Sequence, residues 1–97
     1  MASRDSYLRR RYGITALQYE TLLAYGNGAC WICGRKPKGR RLHVEHDHKT
    51  KRIRGLTCWP CNKGLQAFRD DPELLASASR YVVSELAQDV LLNTQEM

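Results

Sequence analysis

The sequence predicts a small α+β fold, a β-hairpin and short helices drawn together by a four-cysteine metal clip, and three observations carry that prediction. The pairs Cys30-Trp31-Ile32-Cys33 and Cys58-Trp59-Pro60-Cys61 have the two-residue spacing of zinc knuckles. The 24 residues between them read strand, turn, strand and hold all three histidines, His43, His46 and His48. Outside the knuckles the apolar residues fall at helical spacing. Four thiolates fill the tetrahedral sulfur shell of Zn²⁺ and leave no open position, so Cys30, Cys33, Cys58 and Cys61 are expected to hold a structural ion. Any chemistry must then lie between the knuckles.

The elements follow in order. Ser6 to Tyr12 reads as a short basic helix ended at Gly13. Thr15 with Gln18 three residues on has capping-box spacing, and Ile14 with Tyr19 occupies the hydrophobic-staple positions. A helix from Ala16 to Tyr25 follows, with Tyr19, Leu22 and Leu23 as its buried stripe, and Gly26-Asn27-Gly28 stops it. Arg41 to His46 alternates with Leu42 and Val44 on one side, Ile53 to Thr57 reads as the partner strand, and Asp47 to Arg52 is the loop. A helix opening at Cys61 and running to Phe68 places Asn62 in its first turn, and its interior Gly64 leaves it dependent on packing and metal. Asp71-Pro72 is an N-cap followed by proline at the first helical position. Leu74, Leu75, Ala78, Tyr81, Val82 and Leu86 then continue at helical spacing. Their apolar face has two uses, covering the small core or joining a second copy.

Length and composition set bounds. With 97 residues and 8% aromatics, the chain reads as one domain with a thin core, 1–97, divided into an N-terminal helical part (12–28), the knuckles and hairpin (30–68) and a C-terminal helix (71–92). Structural zinc contributes on the order of 10–16 kcal/mol of apparent binding free energy in small domains, enough to offset that deficit. The N-terminus has no apolar signal core, and no apolar run approaches the length of a membrane span, so a soluble protein of a reducing compartment, with no membrane partner, is expected.

Charge is uneven along the chain. Residues 1–69 hold 15 of the 16 Lys/Arg and four of the ten acids, a balance of +11, whereas residues 70–97 carry −5. Arg35, Lys36, Lys38, Arg40, Arg41, Lys49, Lys51, Arg52 and Arg54 surround the hairpin and read as a phosphate-binding face, although a solvated surface offsetting the thiolates has the same composition.

Residues from Tyr12 to Tyr81 resemble the phage recombination endonuclease VII family, within the His-Me finger (HNH, ββα-metal) nucleases. The likeness is carried by Tyr12-Gly13-Ile14-Thr15, both knuckles, Glu45-His46-Asp47-His48, Arg54-Gly55-Leu56-Thr57-Cys58, Cys61-Asn62 and Asp70-Asp71-Pro72-Glu73-Leu74-Leu75. The resemblance implies a ββα-metal finger with a four-cysteine structural zinc site, flanked by helices, that hydrolyses DNA phosphodiesters in the cytoplasm of a phage-infected or prophage-carrying cell. It makes His46 the general base, with Glu45 and Asn62 holding one Mg²⁺ or Mn²⁺. The residues themselves further suggest His48 and Arg54 near the scissile phosphate, and Arg40, Arg41, Lys49, Lys51, Arg52 and Lys63 on duplex or branched DNA. The residue before the base is usually Asp in that family and is Glu45 here, one methylene longer.

The residue types suit that chemistry by themselves. A histidine with an ordinary pKa near 6.5 accepts a proton from water, and one carboxylate with one amide oxygen suits a hard ion that keeps its waters. Adjacent strand residues face opposite sides, so Glu45 and His46 share one phosphate only where the strand ends or twists. Two other classes fit the same residues: a noncatalytic zinc-ribbon-like DNA-binding module, and a zinc-stabilised interaction domain using the acidic C-terminal helix. Junction resolution would further require a homodimer, for which the helices are the candidate contact.

Overall fold

The computed structural model describes residues 3–94, arranged as α1 (Arg4–Tyr12), α2 (Ala16–Tyr25), β1 (His43–His46), β2 (Ile53–Thr57), α3 (Trp59–Ala67), α4 (Pro72–Val82) and α5 (Leu86–Thr94). The class is the small α+β fold expected, with five helices and one two-stranded antiparallel sheet among the described residues. The described chain divides into two compact units between Ala67 and Phe68.

Local hydrogen bonds set the helix ends of the first unit. Ser3 Oγ accepts the Ser6 N–H at 3.1 Å to start α1, and Gly13, at φ 74°, donates to the Arg9 carbonyl at 2.9 Å to end it. The capping box forms as expected: Gln18 N–H donates to Thr15 Oγ1 at 3.0 Å, and Thr15 N–H donates to Gln18 Oε1 at 2.8 Å. Asp5 joins the two helices by accepting from Ala16 N–H and from Arg9 Nε, both at 2.7 Å.

The core is small. Leu8, Tyr19, Cys30, Leu42, Val44 and Leu56 are its buried side chains, with Tyr12, Ile14, Leu22, Leu23 and Ile53 packed around them. The Tyr19 hydroxyl donates to the Leu42 carbonyl at 2.7 Å, which satisfies a buried polar group and pins α2 to the entry of β1. Trp31 hangs the first knuckle on the hairpin, its N–H donating to the Leu56 carbonyl at 2.9 Å. Its indole covers two glycines: a Cβ on Gly26 would lie 2.6 Å from Trp31 Nε1, and one on Gly55 would lie 2.5 Å from Trp31 Cε3.

Strands β1 and β2 pair with His43 opposite Thr57, Val44 opposite Leu56 and Glu45 opposite Gly55, after which the register slips and His46 faces Ile53. Arg54 is the extra residue of this bulge, and bulges re-aim side chains at sheet edges. The slip falls between Glu45 and His46, at the place where flat strand geometry would have separated them. The connecting turn is closed by Asp47, whose Oδ1 accepts from Lys49 N–H at 2.8 Å and Thr50 N–H at 3.0 Å. Helix α3 begins at Trp59, two residues before the expected start, and packs on β1.

In the second unit Asp71 Oδ1 accepts from the N–H groups of Glu73 and Leu74 at 2.9 and 3.4 Å, and Pro72 opens α4 as expected. The single helix expected over 71–92 is instead two, broken at Val83 to Glu85. Ser84 N–H bonds the Tyr81 carbonyl at 3.0 Å, and Ser84 Oγ accepts from Leu86 N–H at 3.3 Å, so the serine ends one helix and recaps the next. Apolar periodicity crosses the break unchanged and cannot register it. Tyr81, Val82, Val83, Leu86, Val90, Leu91 and Leu92 are exposed. No helix of the described residues is long and apolar enough to cross a membrane.

Candidate functional site

The four cysteines converge. Cys30, Cys33, Cys58 and Cys61 place their Sγ atoms within 4.8 Å of one another, all four as free thiols, and Cys33 Sγ lies 3.7 Å from Cys58 Sγ. A tetrahedral site with Zn–S bonds of about 2.3 Å has sulfur–sulfur edges of about 3.8 Å, so the residues fit zinc. The electrostatics agree. Burial pushes the Cys30 thiol up, but backbone N–H groups outweigh it and hold the group below its ordinary value, Ile32 and Cys33 donating to its Sγ at 3.4 and 3.5 Å. The Arg35 side chain, with Nε 3.5 Å from Cys33 Sγ, lowers that thiol to about 6. Burial and the neighbouring sulfurs push Cys61 up to about 12. Such a cluster cannot ionise fully on its own, and a dication resolves the mutual repulsion.

The hairpin mouth holds the other candidates. The His46 ring lies 4.9 Å from the His48 ring, edge-on, and 6.0 Å from the Tyr12 ring. His46 lines a cleft of about 680 Å³ with Tyr7, Arg10, Arg11, Tyr12 and Lys51. Glu45 lines a separate one, beside Trp31, Gly55 and Leu65. Its carboxylate is 5% exposed and paired with Arg54, whose Nε donates to Oε2 at 2.8 Å and to Oε1 at 3.1 Å, with Nη2 also on Oε1. Arg54 Nη2 reaches the His46 carbonyl at 3.4 Å as well, so this guanidinium bonds both residues of the candidate pair. Asn62 is half-buried in α3, its N–H donating to the Cys58 carbonyl at 2.9 Å. A carboxylate and an amide are hard oxygen donors that fit Mg²⁺ or Mn²⁺, and here a guanidinium already supplies positive charge to the carboxylate.

The basic candidates spread over two surfaces. Lys51 lines the His46 cleft, and Lys49 and Arg52 are exposed on the hairpin turn. Arg40 and Lys63 instead flank the Trp59 ring, at 5.1 and 4.4 Å from its centroid. Arg40 and Arg41 line a cleft there with Arg35, Lys36 and Lys38. His43 sits against Trp59 at 5.5 Å, half-buried, with burial and then Arg40 and Lys63 holding its imidazole below the ordinary value. Sequence reasoning overlooked Tyr7, Arg10 and Arg11 as cleft residues. The run Arg9-Arg10-Arg11-Tyr12, three cations beside an aromatic ring, was the available signal.

Hairpin, helix and a four-sulfur cluster that could bind a metal, with paired histidines at the mouth and two basic clefts, make up the candidate site. A model of recombination endonuclease VII matches residues 5–84, and the chain belongs to that family. Two relatives are each a Gene 59 protein. The one from Mycobacterium phage D29 is 43% identical over 82 residues, covering 82% of this chain and 50% of the relative. That from Mycobacterium phage L5 is 40% identical with the same coverage of 82% and 50%. The chain thus spans about half the length of these curated relatives. No solved structure matches it.

Proposed function

We propose that the chain is a metal-dependent DNA endonuclease of the ββα-metal finger type, with structural zinc on the four cysteines. The observation that carries this reading is the His46 imidazole opening onto a basic cleft at the hairpin mouth, in a chain of the endonuclease VII family. His46 acts as general base on the attacking water, and His48, 4.9 Å away, lies close enough to contact the phosphate or relay the proton. Glu45 and Asn62 are the residues that would hold Mg²⁺ or Mn²⁺. Such an ion, when bound, offsets charge on the non-bridging and leaving oxygens. Arg54 holds backbone phosphate in this reading and must release at least one Glu45 oxygen. Arg40, Arg41, Lys49, Lys51, Arg52 and Lys63 supply the remaining phosphate contacts. The work is done in the cytoplasm of a phage-infected or prophage-carrying cell, where thiols stay reduced.

The exposed apolar residues of α4 and α5 would join a second copy in this reading and supply the paired active site that a branched junction requires. The Glu45–Arg54 pair favours a second reading, a noncatalytic DNA-binding module in which the guanidinium permanently takes the metal's place. Incubating supercoiled plasmid with purified protein, with and without Mg²⁺ or Mn²⁺, separates the two. Metal-dependent nicking is expected; binding without nicking under every metal condition leaves the module.

A further inference from the structure

The proposed reaction makes no use of α1, yet α1 walls the cleft that His46 faces. Its last turn carries Arg9, Arg10 and Arg11. Arg9 is paired with Asp5 at 2.7 Å, whereas Arg10 and Arg11 are exposed and line the cleft with Tyr7, Tyr12 and Lys51. The rings form a continuous series: Tyr7 meets Tyr12 edge-on at 6.4 Å, and Tyr12 meets His46 at 6.0 Å. The Arg11 guanidinium lies 5.9 Å from the Tyr12 centroid. Cations interleaved with ring faces in one groove grip a nucleic-acid strand, phosphates on the cations and bases or sugars on the rings. The wall is anchored to the rest of the unit by Leu8, 1% exposed in the core, and by the Asp5 carboxylate, which ties α1 to α2.

We propose that this cleft seats the DNA strand beside the scissile phosphate, with Arg10 and Arg11 on two backbone phosphates and Tyr12 against a flanking base or sugar. Helix α1 thereby sets the register of the strand at His46. The inference rests on the nuclease reading for its position relative to the cut, and on the cleft itself for strand binding.

The test compares the wild-type chain with Arg10→Ala/Arg11→Ala and with Lys36→Ala/Lys38→Ala, which removes equal charge from the cleft beside Trp59. Anisotropy of a labelled duplex across a salt series and plasmid nicking are both read, with thermal melts confirming that these surface variants fold. The Arg10/Arg11 variant is expected to bind about 10-fold more weakly and to lose about 1.8 from the slope of log affinity against log salt, roughly 0.9 per phosphate. Its kcat should fall as well as its KM rise, because a strand out of register misplaces the phosphate at His46, whereas the Lys36/Lys38 variant should change KM alone. An unchanged salt slope, or an unchanged kcat in the Arg10/Arg11 variant of a nicking wild type, overturns the proposal. A wild-type chain that binds without nicking ends the nuclease reading, and the affinities and slopes still decide whether α1 holds the strand.

Discussion

At the scale of single residues, Glu45 and Arg54 constrain one another most. A carboxylate 5% exposed needs a partner, and Arg54, with its side chain 38% exposed, supplies it. Arg54→Ala should therefore destabilise the fold by about 1–3 kcal/mol, discounted for the solvent that reaches the guanidinium. If Glu45 is a metal ligand, Mg²⁺ replaces the lost charge and should raise the melting temperature of Arg54→Ala more than that of the wild type. An equal Mg²⁺ response in both proteins would remove Glu45 from the metal site. His43 offers a second residue-scale test. Its Nε2 is buried with no partner, and its pKa is lowered in the fold, so the unfolded chain takes up the proton first as pH falls. The stabilisation from the neutral ring is complete above about pH 6.5 and is lost as pH falls through the lower folded-state value. His43→Phe keeps an aromatic ring beside Trp59 without that proton. Its melting temperature should gain on the wild type between about pH 8 and about pH 5.5, and a constant gap would show that His43 does not titrate this way. The knuckles were legible in the sequence because their spacing alone marks them, whereas the role proposed for His46 rests on the family resemblance. The Glu45–Arg54 pair was not, since residues nine apart meet only once the hairpin register and its bulge are set.

At the scale of elements, capping chemistry was the most readable feature. Thr15 with Gln18, Gly13 and Asp71-Pro72 each set a helix end where the sequence indicated, because caps act within a few residues. The division between α4 and α5 was hidden because it turns on one Ser84 side-chain bond beneath an uninterrupted apolar pattern. Trp31 packing was hidden for another reason: Gly26 and Gly55 lie 29 positions apart, and only the fold reveals that one indole covers both. Gly55→Ala places a methyl against the indole and should cost about 1–3 kcal/mol, with the displacement of the half-covered Trp31 ring visible in its fluorescence. A variant that melts with the wild type would mean that Trp31 does not fasten the knuckle to the hairpin.

At the scale of the whole molecule, the described residues of the first unit bury only six hydrophobic side chains, a small core, and the four-sulfur site closes the base of the hairpin that carries the histidines. Chelation of zinc, or Cys58→Ser, should abolish cooperative unfolding and cleavage together. A metal-free Cys58→Ser protein that still melts cooperatively would refute the clip. In the proposed reading the same division holds, with folding assigned to the sulfurs, chemistry to the hairpin mouth and strand binding to the basic clefts. The central claim is that His46 is the base of a DNA-cleaving site, and its most direct test is plasmid nicking and duplex affinity measured side by side for the wild type and His46→Ala. Nicking should fall about 100-fold or more while affinity stays within a few-fold, because a base acts in the transition state and adds little to ground-state binding. Near wild-type nicking by His46→Ala would contradict the account.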